Sequence, residues 1–149
     1  MSNGCNAIEN ILFYGDVRSF CMHDKMRILV GWDASGQSRR ALREAATIAK
    51  CFSGFVKVVN VYGRGMQQKA ETSLIEVKET LKKEQVAYEV EVVLGANPAE
   101  TLESIAKKEN CELIVIGSRG LGNTMSMLLG SVSRHVVSNA QCNVLVVKN

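Results

Sequence analysis

The 149-residue sequence lacks several features that would assign it to a class directly. Its net charge is only +3 and its basic residues are scattered, which argues against a nucleic-acid-binding surface. No apolar run approaches the roughly 18 residues of a membrane-spanning helix, and the N-terminus has no continuous apolar signal-peptide core. These features favour a cytoplasmic protein that binds neither nucleic acid nor membrane.

Cysteine is present without a recognisable framework. The chain has five cysteines, an odd number, and none forms a Cys-x-x-Cys pair. A disulfide scaffold and a zinc site are therefore both disfavoured, and a reducing compartment is the simpler interpretation. The remaining composition, 46% hydrophobic and 22% charged, is that of one soluble domain large enough for a three-layer core.

From Met26 onward, strand-like segments alternate with segments of helical periodicity. The predicted strands are 27–32, 55–62, 87–94, 112–116 and 143–147. The predicted helices begin at Ser35 or Ser38, near Gln67, at Pro98 and near Val132. This alternation predicts an α/β protein, a three-layer α/β/α open sandwich with a five-stranded, mostly parallel sheet.

Three local signals refine this prediction. Asn97 is the expected cap of the third helix, with Pro98 at its first position and Glu100 completing a capping box. In the third strand glutamates alternate with apolar residues, which indicates a half-exposed strand near an edge. Residues 1–25 show no period, and we interpret them as an extension outside the domain formed by 26–149; an arm that covers a partner or this domain is the alternative.

A glycine-rich stretch follows the fourth strand. Gly117 comes directly after a buried apolar run, Gly120 follows two residues further on, and Gly130-Ser131 opens a helix after nine intervening residues. Glycine permits positive φ and leaves no Cβ to keep a ligand away from the backbone. The free amides at a helix start attract an anion. We therefore interpret the stretch as a nucleotide site, in which a phosphate chain would lie between the two turns.

Other phosphate motifs do not fit the sequence. No glycine is followed by the Gly-Lys-Ser/Thr of a Walker loop, and the nearest dinucleotide fingerprint, Gly63-Arg64-Gly65, has Gln68 where its third glycine belongs. In a parallel sheet, however, the strands that end at Asp33, Val61 and Gly117 open on the same edge, which is where ligands bind.

The spacing Gly117-x2-Gly120-x9-Gly130-Ser131 resembles the nucleotide-binding motif of the universal stress protein family, in its ATP-binding branch. The resemblance extends over nearly all of 26–148. It implies a fold like that of the adenine nucleotide alpha hydrolases, with sheet order 3-2-1-4-5. The sequence departs from the family in a short segment after the second strand, and in Asn143, where a proline is common.

The resemblance also implies which residues bind ATP. Asp33 would contact the nucleoside, Val61 the adenine, and Gly31 is a further contact position. The phosphates would be bound by Gly117, Gly120, Gly130, Ser131, Val132 and Ser133, mainly through backbone amides. The residues alone leave alternatives open: an Asx turn or helix cap for Asp33, a core strand position for Val61, and a helix cap for Ser131 or Ser133.

The implied function is a nucleotide-dependent switch or sensor in stress response, with Mg²⁺ arriving on the phosphates of ATP. Family members form homodimers through the last strand, here Val144–Val147, and an unidentified protein partner would read the switch. The excursion 121–129 is a candidate lid or a packing segment. Alternatives are a slow ATPase or phosphotransferase, for which no base or metal-ligand constellation is found, and an interaction module without nucleotide.

Overall fold

The computed structural model describes residues 25–121 and 128–148, and the structural statements below concern these residues. Nearly all of the predicted N-terminal extension and most of the excursion, 122–127, lie outside them. The strands are β1 (Arg27–Gly31), β2 (Phe55–Tyr62), β3 (Ala87–Leu94), β4 (Leu113–Gly117) and β5 (Asn143–Val147). The helices are α1 (Gly36–Cys51), α2 (Gln67–Lys83), α3 (Pro98–Lys108) and α4 (Ser131–Asn139).

The five strands form one sheet in the order β3-β2-β1-β4-β5, and every pairing is parallel. The predicted class and strand order are therefore confirmed, as is the position of β3 at an edge. Predicted and observed bounds differ by only one or two residues, as expected for element ends. None of the helices in the described part of the chain is long and apolar enough to span a bilayer.

Two hydrophobic clusters lie on opposite faces of the sheet, because successive strand residues point to opposite sides. Ile28 and Val30 of β1 face one cluster, together with α1 and α2. Leu29, between them, faces the other cluster, together with α3 and α4. The inner face predicted for α2 is buried as expected: Ala70, Leu74, Val77 and Leu81. The molecule thus has the three predicted layers.

The structure decides between the two caps that the sequence left open for α1 and confirms the cap of α3. Ser35, rather than Ser38, caps α1, and its hydroxyl accepts a hydrogen bond from the Ser38 amide at 3.1 Å. Asn97 caps α3 as predicted, accepting from the Ala99 amide at 3.2 Å. The reciprocal bond expected from Glu100 is absent from the hydrogen bonds of the described residues, so the capping box is only half formed.

A cluster of charged side chains lies toward the amino ends of the strands. Lys57 of β2 has a side chain only 6% exposed, and its Nζ lies 2.5 Å from Glu109 Oε1 and 2.8 Å from Glu91 Oε2. Arg27 Nη2 contacts the other Glu109 oxygen at 3.2 Å. No local pattern in the sequence indicates this cluster, because its members come from β1, β2, β3 and the end of α3.

At the opposite end of the sheet, where the strands have their carboxyl ends, the direction of winding reverses between β1 and β4. β1 pairs with both β2 and β4, and the chain leaves β1 for one face of the sheet and reaches β4 from the other. The segments that follow β1 and β4 therefore leave the sheet toward opposite faces. Between them, at the carboxyl ends of the two strands, lies a crevice, which is the usual ligand site of open α/β sheets.

Candidate functional site

A cleft of about 330 Å³ occupies this crevice, a volume typical of small-molecule sites. All nine residues predicted for the site line it: Gly31, Asp33, Val61, Gly117, Gly120, Gly130, Ser131, Val132 and Ser133. They come from four separate segments of the chain, so the fold brings together what the sequence only suggested.

The two sides of the cleft differ in chemistry. On the β2 side the wall is apolar, with Val59 and Val61 from the strand and Pro98 and Leu102 from α3. On the β4 side it consists of two turns, 117–120 and 130–133, that present backbone. A ligand with an apolar ring system at one end and a polar, anionic chain at the other matches this division.

Asp33 lies between the two sides at the end of β1. Its Oδ1 accepts a hydrogen bond from the Ser35 amide at 2.9 Å, which is the Asx-turn geometry left open by the sequence. Its Oδ2 lies directly beside Gly120, so closely that a Cβ on residue 120 would collide with it. One carboxylate oxygen is thus used by the turn, and the other is directed toward the site.

The loop that carries Asp33 is held against α2 by side chains that sequence reasoning missed. Arg39 donates to Ala34 O at 2.5 Å and forms a two-bond ion pair with Glu76, at 2.6 and 2.8 Å. The Trp32 indole lies 5.8 Å from the Arg39 guanidinium and donates to Ser73 Oγ at 3.1 Å. Arg39 and Trp32 are at least 37 residues away in sequence from the α2 residues that they contact, so no local sequence pattern predicts these contacts.

Electrostatically, the Arg39–Glu76 pair is the best-defined interaction near the site. The hydrogen bond from Arg39 lowers the pKa of Glu76, and burial opposes this shift only partly. Arg39 also lies close enough to Asp33 for that carboxylate to help raise the pKa of the guanidinium. Positive charge thus stands behind the carboxylate that faces the cleft.

The two glycine turns are joined through Ser118, which is 2% exposed. Its carbonyl accepts from the Gly130 amide and from Ser133 Oγ, both at 2.7 Å. The Gly130 amide, which the sequence predicts as a phosphate donor, thus already donates to Ser118 O, so a bond to phosphate would have to replace this one. The Ser133 hydroxyl is used in the same way.

Four other amides remain for an anion. α4 begins at Ser131 with Gly130 as its N-cap and no side-chain cap, so neither predicted serine caps the helix. The amides of Ser131, Val132 and Ser133 belong to the first turn, which has no intrahelical acceptors. Among the described residues no hydrogen bond engages the Gly120 amide either. The four residues that carry these amides all line the cleft, and the positive end of the α4 dipole lies at the same place.

The glycines are needed for space rather than for unusual backbone angles. Positive φ was expected to be useful at Gly117 and Gly120, but among the described glycines only Gly65 has it. A Cβ on Gly117 would lie 2.8 Å from Gln37 Cβ. On Gly31 it would lie 3.0 Å from Leu102 Cδ1. Close packing against other parts of the protein is therefore the role observed, and the approach of a ligand to the glycine backbone stays a prediction.

Titratable groups are few in the cleft, where Asp33 and Arg119 are the charged lining residues. In residues 25–121 and 128–148, no group of three or more His, Cys, Asp or Glu side chains is placed to hold a metal ion. His135 lies outside the cleft lining, with its Nε2 3.7 Å from Glu103 Oε1. His23 and most of the candidate lid lie outside the described residues.

Solved structures share this architecture. A universal stress protein in complex with cAMP is 28% identical, with a TM-score of 0.72, over 85% of this chain and 98% of its own. A universal stress protein from Archaeoglobus fulgidus in complex with dAMP is 27% identical, with a TM-score of 0.71, over 85% of this chain and 100% of its own.

Sequence comparison agrees with the structural one. A universal stress protein of Thermus aquaticus is 33% identical over 133 residues, which cover 81% of this chain and 97% of that protein. The sequence profile described as the universal stress protein family matches residues 26–148, which is most of the chain. The chain therefore belongs to the universal stress protein family.

Proposed function

We propose that the cleft binds an adenine nucleotide, with ATP as the ligand, and that the protein acts as a nucleotide-dependent switch or sensor in the cytoplasm. The observation that carries the proposal is the convergence of an apolar wall, one directed carboxylate and two amide-bearing turns on a single cleft. Relatives solved with cAMP and dAMP support adenine as the base.

The nucleoside would occupy the β2 side. Val59, Val61 and Leu102 offer an apolar surface for the base, and Asp33 Oδ2 is an acceptor for a ribose hydroxyl or the adenine amino group. Because Asp33 Oδ1 is already bonded to the Ser35 amide, the carboxylate is held in place before the ligand arrives, which lowers the cost of binding.

The phosphates would lie on the β4 side. The Gly120 amide and the first turn of α4 supply donors from two directions, and the helix dipole favours negative charge at this point. Two separated groups of donors suit a chain of phosphates better than a single one. Mg²⁺ would be held by the phosphates and water, since the described side chains offer no ligand cluster.

The protein would act as a homodimer through β5. Val144 and Val146 are partly buried against the α3/α4 cluster, and no described strand pairs with the outer edge of β5. An unpaired edge of valine and leucine is a template for a second copy. Nucleotide state would then be read by a protein partner.

Two variants of Gly130 test the nucleotide proposal, because a Cβ at this position meets only ordinary contacts: Arg119 Cα and Ser118 O, each at 3.5 Å. Gly130→Asn and Gly130→Asp add side chains of the same size that differ in charge. We expect Gly130→Asp to weaken ATP binding by about 100-fold or more, and Gly130→Asn to stay within about tenfold of the wild type.

Calorimetric titration of both variants, with circular dichroism melts to show that they are folded, gives the comparison. A folded Gly130→Asp protein that binds ATP as the wild type does would remove the phosphate from this cleft. Phosphate release is measured in the same samples, and turnover above the Gly130→Asp background would support the slow ATPase instead.

A further inference from the structure

Gln37 is in the first turn of α1 and does not line the cleft, yet it holds the turn that does. Its side-chain Oε1 accepts hydrogen bonds from Ser118 Oγ at 2.8 Å and from the Arg119 amide at 2.5 Å. We propose that Gln37 is a positioning residue that keeps the 117–120 turn in its anion-binding shape. The inference rests on the nucleotide function proposed above and adds a residue to it.

The turn is fastened on its other sides by backbone. The Ser118 amide donates to Val147 O at 2.8 Å, and the Ser118 carbonyl accepts from Gly130. These bonds fix Ser118 between β5 and the start of α4. Gln37 adds a side-chain acceptor for two donors of this turn. It is also the link to α1, and thereby to the loop that carries Asp33.

The position of the Gln37 side chain decides where the neighbouring amides point. The Arg119 amide is engaged by Gln37, and the next amide, that of Gly120, belongs to a residue that lines the cleft and has no hydrogen bond among the described residues. Without this acceptor, a four-residue turn with glycine at both ends would sample many conformations. Ordering it would then consume part of the free energy of binding.

Gly117 and Gln37 form a matched pair in this arrangement. A Cβ at residue 117 would lie 2.8 Å from Gln37 Cβ and 3.0 Å from the Gln37 carbonyl carbon. Only glycine therefore lets the first turn of α1 come close enough for the Gln37 amide group to reach Ser118 and Arg119. The strand end and the helix start are fitted to each other at this one contact.

The test compares Gln37→Met, which keeps the length of the side chain and removes its acceptor, with wild-type protein. We expect Gln37→Met to lower the affinity for ATP by about tenfold or more while changing the affinity for adenosine by less than about threefold. In nucleotide-free protein, hydrogen exchange of the Arg119 amide should accelerate by about tenfold or more.

Gln37→Glu is the rescue variant, since it restores an oxygen acceptor at the same place. We expect it to restore slow exchange of the Arg119 amide. The rescue is read from exchange alone, because a carboxylate beside the turn would itself weaken anion binding.

The possible results separate this inference from the function on which it rests. Selective loss of ATP affinity in Gln37→Met, with rescue of exchange by Gln37→Glu, supports the positioning role. Equal ATP affinity in wild type and Gln37→Met, or a parallel loss for ATP and adenosine, overturns it and leaves the nucleotide function intact. A wild-type protein that binds no adenine nucleotide overturns both.

Discussion

Gly120 and Asp33 face each other so closely that no Cβ atom fits between them. A side chain at position 120 would collide with Asp33 Oδ2, the carboxylate oxygen directed into the cleft. The glycine motif after β4 and the aspartate after β1 are therefore parts of one contact. It follows that a side chain added at position 120 disturbs the nucleoside contact as well as the phosphate turn.

Gly120→Ala should therefore impair binding through Asp33. We expect it to lower ATP affinity by about tenfold or more, because the carboxylate must move to admit the methyl group. The effect should also appear with adenosine, which has no phosphate. Gly130→Ala is the matched control, since its Cβ has room, and it should stay within about threefold of the wild type. Titration calorimetry decides; unchanged affinity in Gly120→Ala would contradict the Asp33 assignment.

Gly117→Ala should act on stability. Its Cβ would press on the backbone of Gln37 at 3.0 Å, so the first turn of α1 must shift, at a cost of about 1–3 kcal/mol in the free energy of unfolding. Gly36→Ala, in the same helical turn with nothing within 4 Å of its Cβ, should be neutral or stabilising by up to about 1 kcal/mol. Urea denaturation of both variants measures the difference, and equal stabilities would show that the fit is looser than described.

The charge cluster at the far end of the sheet predicts a pH dependence. Burial alone would raise the pKa of Glu109, but its hydrogen bond and charge interaction with Lys57, aided by Arg27, outweigh this and lower it. For Lys57, burial alone would lower the pKa, but hydrogen bonds to Glu109 and Glu91 outweigh this and raise it.

These two shifts make stability depend on pH. The Glu109 carboxylate stabilises the fold fully above its ordinary pKa of 4.5, and this stabilisation is lost as the pH falls through the lowered pKa. The Lys57 ammonium stabilises the fold fully below its ordinary pKa of 10.5, and this stabilisation is lost as the pH rises through the raised pKa.

Glu109→Gln tests this dependence. Because Glu109 is 22% exposed, we expect a loss of only about 1–2 kcal/mol in the free energy of unfolding at pH 7. The variant and wild type should converge in strongly acidic solution, where Glu109 is protonated. The exposed Glu79→Gln is the control and should change stability by less than about 0.5 kcal/mol. A constant difference across the acid range would show that the Glu109 charge is not responsible.

The β5 dimer can be tested with proline. The Val147 carbonyl accepts a hydrogen bond from the Ser118 amide, so the backbone groups of Val147 point toward β4. Because the backbone groups of successive strand residues point to alternate sides, the Val146 amide points away from β4, toward the free edge. Val146→Pro should remove an edge donor and yield a folded monomer, whereas Leu145→Pro should break the β4 ladder and unfold the strand. Light scattering after gel filtration reports the mass. A dimeric Val146→Pro protein would place the interface elsewhere.

Sequence patterns located the fold and the cleft because both depend on local signals. The strand at Leu113–Gly117, the Asn97-Pro98 helix start and the glycine spacing are contiguous in the chain, and the crevice follows from strand order. The contacts of Gln37 with Ser118 and of Arg39 with Glu76 join residues 81 and 37 positions apart. No periodicity in the sequence indicates these contacts, and none indicates the bond from the Gly130 amide to Ser118 O.

We expect this cleft to bind ATP through adenine-specific and phosphate contacts. Calorimetric titration of purified, nucleotide-stripped protein with Mg-ATP, with GTP as the comparison, tests both kinds of contact together. Saturable binding of ATP, tighter than that of GTP, is the predicted result. Folded protein that binds neither nucleotide would contradict the claim and assign the glycine turns to the structure of the domain alone.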